Sequence, residues 1–289
     1  MQNLKQTQAI LEQYKVLPKK SLGQNFLISE RIIKKVIEIN NLTKTDHILE
    51  IGPGIGALTK PLLENAKQVD AYEIDKRMIT ILQDQLASFS NLNLFQADIL
   101  EVNLGYLYSE ISTLKIIANL PYYITSKIVE KLICELPDCN TFCLMMQKEA
   151  ADRILLRENH AKYGVTAILL ALFGQVVYKF DVPANCFYPR PKVKSRVLLI
   201  KRNPNSVFFQ HFHKNSENQI LDFKQFLEIS FSMRRKTLLN NWKKSEYSAQ
   251  TSVLEQVLNK LEIDQKTRPE QISPEEFWKI YLNMADYKG

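Results

Sequence analysis

The chain has 289 residues, 45% apolar and 24% charged, enough for one large or two unequal domains whose core needs neither disulfides nor metal. Its longest apolar run, residues 165–173, is far short of the ~20 residues of a membrane span, and its polar opening lacks the pattern of a secretory signal, so a cytoplasmic protein is expected. With 38 lysines and arginines against 31 acids it carries +7, which permits a polyanionic partner without requiring one.

In chain order, Ser29 is placed to cap a helix whose Ile32, Ile33, Val36 and Ile37 make one apolar face. Short apolar runs suited to strands follow at residues 47–51, 69–74, 92–97, 114–118, 142–146, 176–182 and 197–200. Helical patterns separate them at 57–65, 76–89, 126–136, 148–156 and 165–173. Such alternation predicts an α/β fold, a mostly parallel sheet with helices on both faces. The last two runs have only a loop between them, which predicts an antiparallel hairpin at one sheet edge. Residues 203–218 are polar and asparagine-rich and read as a linker. Beyond it, 223–241, 252–261 and 274–284 are helical by pattern. The expected domains are therefore 1–202, the linker 203–218, and a small helical domain over 219–289. The four cysteines form no C-x-x-C pair and no histidine stands at zinc spacing from them; His211 and His213 alone make a poor site. Reduced thiols and no metal are expected.

Three of only eight glycines fall within five positions, Gly52, Gly54 and Gly56, directly after the strand at 47–51 and before a helical pattern. A glycine turn at a strand's carboxyl end lets a ligand approach the backbone. The run also satisfies the dinucleotide fingerprint, so a nicotinamide cofactor and a bare tight turn both stay open at this point. Glu73 and Asp98 then close the second and third strands, where one carboxylate can accept ribose hydroxyls and the other an adenine amino group. An acid at each end suits S-adenosylmethionine, which has one ribose, one adenine and no pyrophosphate. Asn119-Leu120-Pro121-Tyr122 closes the fourth strand. An adenine amine is a poor nucleophile; the Asn119 side-chain carbonyl and the Leu120 backbone carbonyl can accept its two N–H bonds. Pro121 stiffens that turn, and Tyr122 offers a face on which a base can stack. Residues 179–202 hold seven cations against one acid, either a solvated edge or a polyanion surface.

With these pieces in place, the chain resembles the ribosomal RNA adenine N6-dimethyltransferases, and most closely their bacterial small-subunit (16S) branch. The resemblance rests on Gly23-Gln24-Asn25-Phe26-Leu27, on residues 50–56, on Glu73-Ile74-Asp75 and Ala97-Asp98-Ile99, on Asn119 to Tyr122, and on residues 187–195. It implies a Rossmann-like class I S-adenosylmethionine-dependent methyltransferase: a mostly parallel seven-stranded sheet with one antiparallel edge strand, plus a small helical domain. It implies an enzyme that makes N6,N6-dimethyladenosine at two adjacent adenosines in a 3′-terminal hairpin loop of 16S rRNA, working as a monomer on an immature small subunit. By position, Gln24, Asn25 and Leu27 would close over the methionine part of the cofactor, with Gly52 and Gly54 against it. Glu73 would hold the ribose, Asp98 the adenine, and Asn119 would touch both cofactor and target amine. Phe187 would stack on the base opposite Tyr122, while Arg190, Lys192 and Lys194 would hold RNA phosphates. Arg234, Arg235 and Lys236, expected on one helix, would add salt-dependent RNA affinity. One departure is Ser21-Leu22, where family members often carry Arg-Phe; Lys19 or Lys20 would then meet RNA instead. Large-subunit adenine methyltransferases share these motifs, and an assembly factor without turnover is the reading from a different class.

Overall fold

A computed structural model describes residues 3–210, 217–233 and 235–286. The chain forms two compact units, Met1–Ala151 with Gln175–Arg202, and Asp152–Gly174 with Asn203–Gly289.

The first unit is built on seven strands: β1 (His47–Ile51), β2 (Gln68–Glu73), β3 (Leu92–Gln96), β4 (Leu114–Asn119), β5 (Thr141–Gln147), β6 (Gly174–Val182) and β7 (Ser195–Arg202). Their order across the sheet is β3-β2-β1-β4-β5-β7-β6. The first five run parallel, and β7 lies antiparallel to β5, with Leu144 opposite Leu198. The late hairpin occupies that edge as expected, with its antiparallel member β7 one place inside. On central β1, Ile48, Leu49 and Ile51 are all buried, as befits a strand covered on both faces.

The helices of this unit are α1 (Leu4–Gln13), α2 (Glu30–Ile39), α3 (Thr59–Asn65), α4 (Lys76–Gln85), α5 (Leu104–Tyr108) and α6 (Thr125–Glu135), with α7 (Lys148–Ile154) leaving it. α2 buries Ile32, Ile33 and Val36 as its apolar spacing requires. Ser29 does sit at its N-cap, but its side chain makes no capping bond there. α1 is polar and carries no strong apolar stripe; Asn3 and Gln6 form a reciprocal capping box that starts it. Phe26–Leu27 and Phe187–Tyr188 pair antiparallel in a two-stranded ribbon.

The chain turns from β1 to β2 on one side of the sheet and finds β4 on the other. That reversal of strand order makes the carboxyl ends of β1 and β4 the switch point where open α/β sheets bind ligands. Ile51 pairs with Ala118, so the glycine turn and Asn119 are neighbours there.

The second unit holds α8 (Val165–Phe173), α9 (Val207–Gln210), α10 (Glu217–Ser230), α11 (Leu238–Lys243), α12 (Thr251–Lys260) and α13 (Pro274–Asp286). Aromatic side chains fill it: the Trp278 ring lies 4.9 Å from both Phe208 and Phe223, and Trp242 lies 5.3 Å from Phe226. The buried indole N–H of Trp242 donates to Ser230 Oγ at 3.1 Å. α8, expected as a cover for the sheet, packs instead on α9, α10 and α13. VTAILLALF is apolar on every side, so it needs a partner on every side. The expected domain 1–202 is therefore interrupted, because residues 152–174 belong with the helices. Nor are residues 203–210 a bare linker, since Phe208 is fully buried; residues 211–216 lie outside the described ones.

Candidate active site

A cleft opens at the switch point, enclosing about 950 Å³ with the solvent at its mouth included. Its walls contain Gln24, Asn25 and Leu27, then Gly52 and Gly54, then Glu73, Asp98 and the whole run Asn119, Leu120, Pro121 and Tyr122. Residues spread over 100 positions of sequence thus converge, each from the carboxyl end of a strand or from the segment before α2.

The glycine turn is conformationally demanding. Gly52, Gly54 and Gly56 have φ of 68°, 59° and 88°, a region costly for residues with a Cβ. A Cβ on Gly54 would also come within 3.1 Å of the Phe26 ring. The Gly54 N–H donates to Glu73 Oε2 at 3.1 Å, and the Asp75 N–H donates to Oε1 at 2.9 Å. Glu73 is thereby aimed by backbone donors, while each oxygen keeps a lone pair for a ligand hydroxyl. Burial raises its pKa, and those two N–H groups hold it down in part. Asp98 accepts the Leu100 N–H at Oδ1, 2.9 Å. A ligand with a ribose near Glu73 and an amino group near Asp98 fits this donor and acceptor set.

Asn119 ends β4. Its amide nitrogen donates to the Asn25 carbonyl at 3.4 Å, a long bond that still fixes which end of the amide faces away. The opposite atom, Oδ1, is buried and has no hydrogen-bond partner. A buried acceptor left unsatisfied is costly unless a ligand donor meets it. Tyr122 donates to or accepts from Ser195 Oγ at 2.7 Å, which pins its ring between the end of β4 and the start of β7. Burial raises the Tyr122 pKa, so the hydroxyl stays neutral.

Four residues in or beside the site had no role assigned from the sequence. Glu50 is 2% exposed, lines the cleft and has a partnerless Oε2. Burial pushes its pKa up to about 8; the nearby Thr59 hydroxyl lowers it and the Glu73 charge raises it. Tyr123 is 55% exposed at the cleft, where burial and the charges of Asp98 and Glu73 raise its pKa. Its only sequence signal was a second aromatic next to Tyr122. Asp75 and Arg77 tie the segment before α2 down: Arg77 Nε donates to Asp75 Oδ1 at 3.0 Å and Arg77 Nη1 to the Leu17 carbonyl at 3.0 Å. Gln24 Nε2 donates to Asp75 Oδ2 at 2.9 Å and its Oε1 accepts from the Lys19 N–H at 2.7 Å. Arg77 first, and Gln24 after it, hold the Asp75 carboxyl down at about 2. Both ends of the Gln24 amide are thus used in fastening the segment before α2, while the residue itself lines the cleft.

That clasp yields a prediction. Arg77→Ala should loosen residues 14–27, speed limited proteolysis there several-fold and weaken cofactor binding by roughly tenfold, with turnover at saturating cofactor unchanged. Calorimetry and protease digestion check it; equal digestion rates would mean that Arg77 and Asp75 do not hold this segment.

Other expectations need correction. Phe187 does not reach the cleft: it is 2% exposed, pairs with Leu27 and belongs to the core that includes Val182 and Val197. Edge packing, not an open stacking face, is what this structure gives it. Arg190, Lys192 and Lys194 are exposed on the loop that leads to β7. Arg234 lies outside the described residues, and Arg235 and Lys236 are not on a helix. α10 stops at Ser230, the Asn241 Oδ1 accepts from the Met233 N–H at 2.7 Å, Arg235 has φ 67° and Thr237 caps α11. These contacts turn the chain where periodicity alone continued the helix. All four cysteines are free and buried, and burial pushes the Cys139 and Cys143 thiols up to about 12. Among the described residues no group of three or more His, Cys, Asp or Glu is placed to hold a metal, and no helix is long and apolar enough to cross a membrane.

Comparison with known proteins agrees with this geometry. A family model described as ribosomal RNA adenine dimethylase matches residues 17–286. Two proteins named ribosomal RNA small subunit methyltransferase A, from Clostridium botulinum (strain Okra / Type B1) and Bacillus cytotoxicus, are 37% and 35% identical to it. They cover 95% and 98% of this chain and 96% of their own length in each case. The crystal structure of a dimethyladenosine transferase from Plasmodium falciparum superposes with a TM-score of 0.72 at 26% identity, over 91% of this chain and 98% of that one. The 23S rRNA methyltransferase ErmE shares the fold, with a TM-score of 0.58 at 24% identity over 90% of this chain and all of its own. The chain belongs to the ribosomal RNA adenine dimethylase family and is a class I, S-adenosylmethionine-dependent methyltransferase of ribosomal RNA.

Proposed function

We propose that the protein dimethylates N6 of two adjacent adenosines in a 3′-terminal hairpin loop of 16S rRNA, acting as a cytoplasmic monomer on an immature small subunit during its biogenesis. The names of the full-length relatives support the small-subunit substrate. The observation that carries the chemistry is the buried, partnerless Oδ1 of Asn119 at the switch point. It is an acceptor held ready for an N–H that the protein itself does not supply.

S-adenosylmethionine, when bound, supplies a methyl group on a positively charged sulfur. The chain's residues do the rest by position. Glu73 accepts the ribose hydroxyls and Asp98 the cofactor's adenine amino group. Gly52 and Gly54 let the ligand lie against bare backbone. Gln24, bonded to Asp75, and Asn25, whose Nδ2 donates to the Gly23 carbonyl at 2.9 Å, keep the covering segment with Leu27 in place. Asn119 Oδ1 and the Leu120 carbonyl accept the two N–H bonds of the target amine and hold its nitrogen in line. Pro121 stiffens the turn, and the fixed ring of Tyr122 carries the base. Because the sulfonium is a strong electrophile, alignment supplies much of the rate and no strong base is needed. The amine proton leaves to solvent after transfer. Arg190, Lys192 and Lys194, exposed on the loop that leads to β7, are the cations for RNA phosphates; Arg235 and Lys236 present two more from the turn before α11.

The test is transfer of labelled methyl to small subunits from a strain lacking this activity, with large-subunit RNA alongside and mass spectrometry of the nucleosides. Dimethyladenosine on 16S rRNA alone is expected. Label on large-subunit RNA instead would assign the chain to the other substrate.

A further inference from the structure

The cleft accounts for the target base, but a base in a cleft needs its flanking strand held outside. One face beside the cleft has the chemistry for that and no role in the site described above. α2 begins three residues after Leu27, a cleft wall, and the intervening Ile28 N–H donates to the Cys186 carbonyl at 2.8 Å. Its outward stripe is Arg31, Lys34 and Lys35, spaced three and four residues apart and so on one side of the helix. Arg31 and Lys34 are exposed; Glu30 and Glu38 stand at the two ends of the stripe. Lys35 lies over two aromatic rings of the edge strand β6, its Nζ 4.2 Å from the Phe180 centroid and 5.4 Å from that of Tyr178. Tyr178 is 42% exposed. A solvated cationic helix face alone would be unremarkable as a surface. Here it meets an exposed ring on the outermost strand, and that ring is not needed to close the core, which ends at Phe180 and Val182.

We infer that Arg31, Lys34, Lys35 and Tyr178 form a docking surface for single-stranded ribosomal RNA flanking the methylated adenosines. Three cations on one helix stripe match a phosphate backbone, and an aromatic face with a lysine on its other side is a platform for a base. The occupant is RNA and not a second copy of this chain, because the stripe is self-repelling. β6 also carries an exposed Lys179 among its open backbone groups, a feature that discourages strand-to-strand pairing. The inference rests on the substrate reading above, and its test separates the two. The variants are measured in the intact protein, with methyl transfer to small subunits and direct binding to protein-free 16S rRNA read side by side.

The double variant Arg31→Ala/Lys34→Ala should reduce the slope of log affinity against log salt by between one and two, at about 0.7 to 0.9 per lost phosphate contact. Tyr178→Ala should weaken binding by roughly 5- to 50-fold with the slope unchanged, as loss of a stacked base does. In both, KM for small subunits rises while turnover at saturation and cofactor affinity stay as in the parent. Because the three side chains are solvent-facing, thermal melting should be unmoved; the charge variant serves if Tyr178→Ala folds poorly. Unchanged RNA affinity and salt slope in both would overturn the inference. So would a defect seen with whole subunits and absent with protein-free RNA, which would make a ribosomal protein the occupant, or a change in self-association alone. Failure of methylation in the parent protein would instead count against the substrate reading.

Discussion

Asn119→Ala should lower turnover by about 100- to 1,000-fold, the usual loss when one preorganised polar contact to a reacting group is removed. The cofactor's dissociation constant should change far less, because the ribose and adenine contacts proposed for Glu73 and Asp98 would remain. Stability should hold, since the residue's own protein bond is a single long one at 3.4 Å and its Oδ1 has no partner to lose. Removing an unsatisfied buried acceptor even takes away a small cost. Single-turnover methyl transfer together with calorimetry reads both quantities. A variant within threefold of the parent in turnover would show that the Leu120 carbonyl alone positions the amine. A variant that loses cofactor binding in parallel would make Asn119 a binding group and leave its chemical role without support.

Much of the cleft's lining was legible because its residues lie at strand ends. A glycine turn after one strand and acids after the next two survive in sequence as fixed spacings, and parallel α/β topology brings strand ends together without further information. Asn119 to Tyr122 was readable for the same reason. What escaped depends on contacts between distant segments. The Gln24 to Asp75 bond spans 51 positions, and nothing in either residue type announces the other. Phe187 shows the converse: the resemblance implied a ring open for stacking, yet pairing with Leu27 across a two-residue ribbon buries it. α8 follows the alternation like any sheet-covering helix, and only its all-round apolarity marks it for the aromatic core of the other unit. The cations after Ser230 lie inside a stretch that reads as helical, but bonds that Asn241 Oδ1 accepts from Ser232 and Met233 hold the chain in a turn there, and periodicity does not register them.

Glu50→Gln should make the protein more stable and the site weaker. Glu50 sits at the carboxyl end of β1, fully enclosed, with Oε2 unpartnered and a pKa near 8 caused chiefly by burial. An unfolded chain ionises this carboxyl near 4.3. Between those two values the native state keeps a proton that the unfolded state has released, so stability falls as pH rises through that window and the full cost is present above about 8. Glutamine has nothing to ionise. The variant should match the parent below about pH 4 and exceed it increasingly towards pH 8, by on the order of 5 kcal/mol and roughly 10 to 20 °C in Tm. Melting curves taken across that range check the slope. Parallel profiles for parent and variant would mean that Glu50 titrates normally. This costly acid lines the cleft, and the ligand this family binds is cationic at sulfur. Cofactor affinity in Glu50→Gln should accordingly drop by roughly tenfold at pH 8 and by less at pH 6, where the parent's carboxyl is itself mostly protonated. Stability gained and affinity lost in one substitution is the signature of a group kept for binding at the expense of folding.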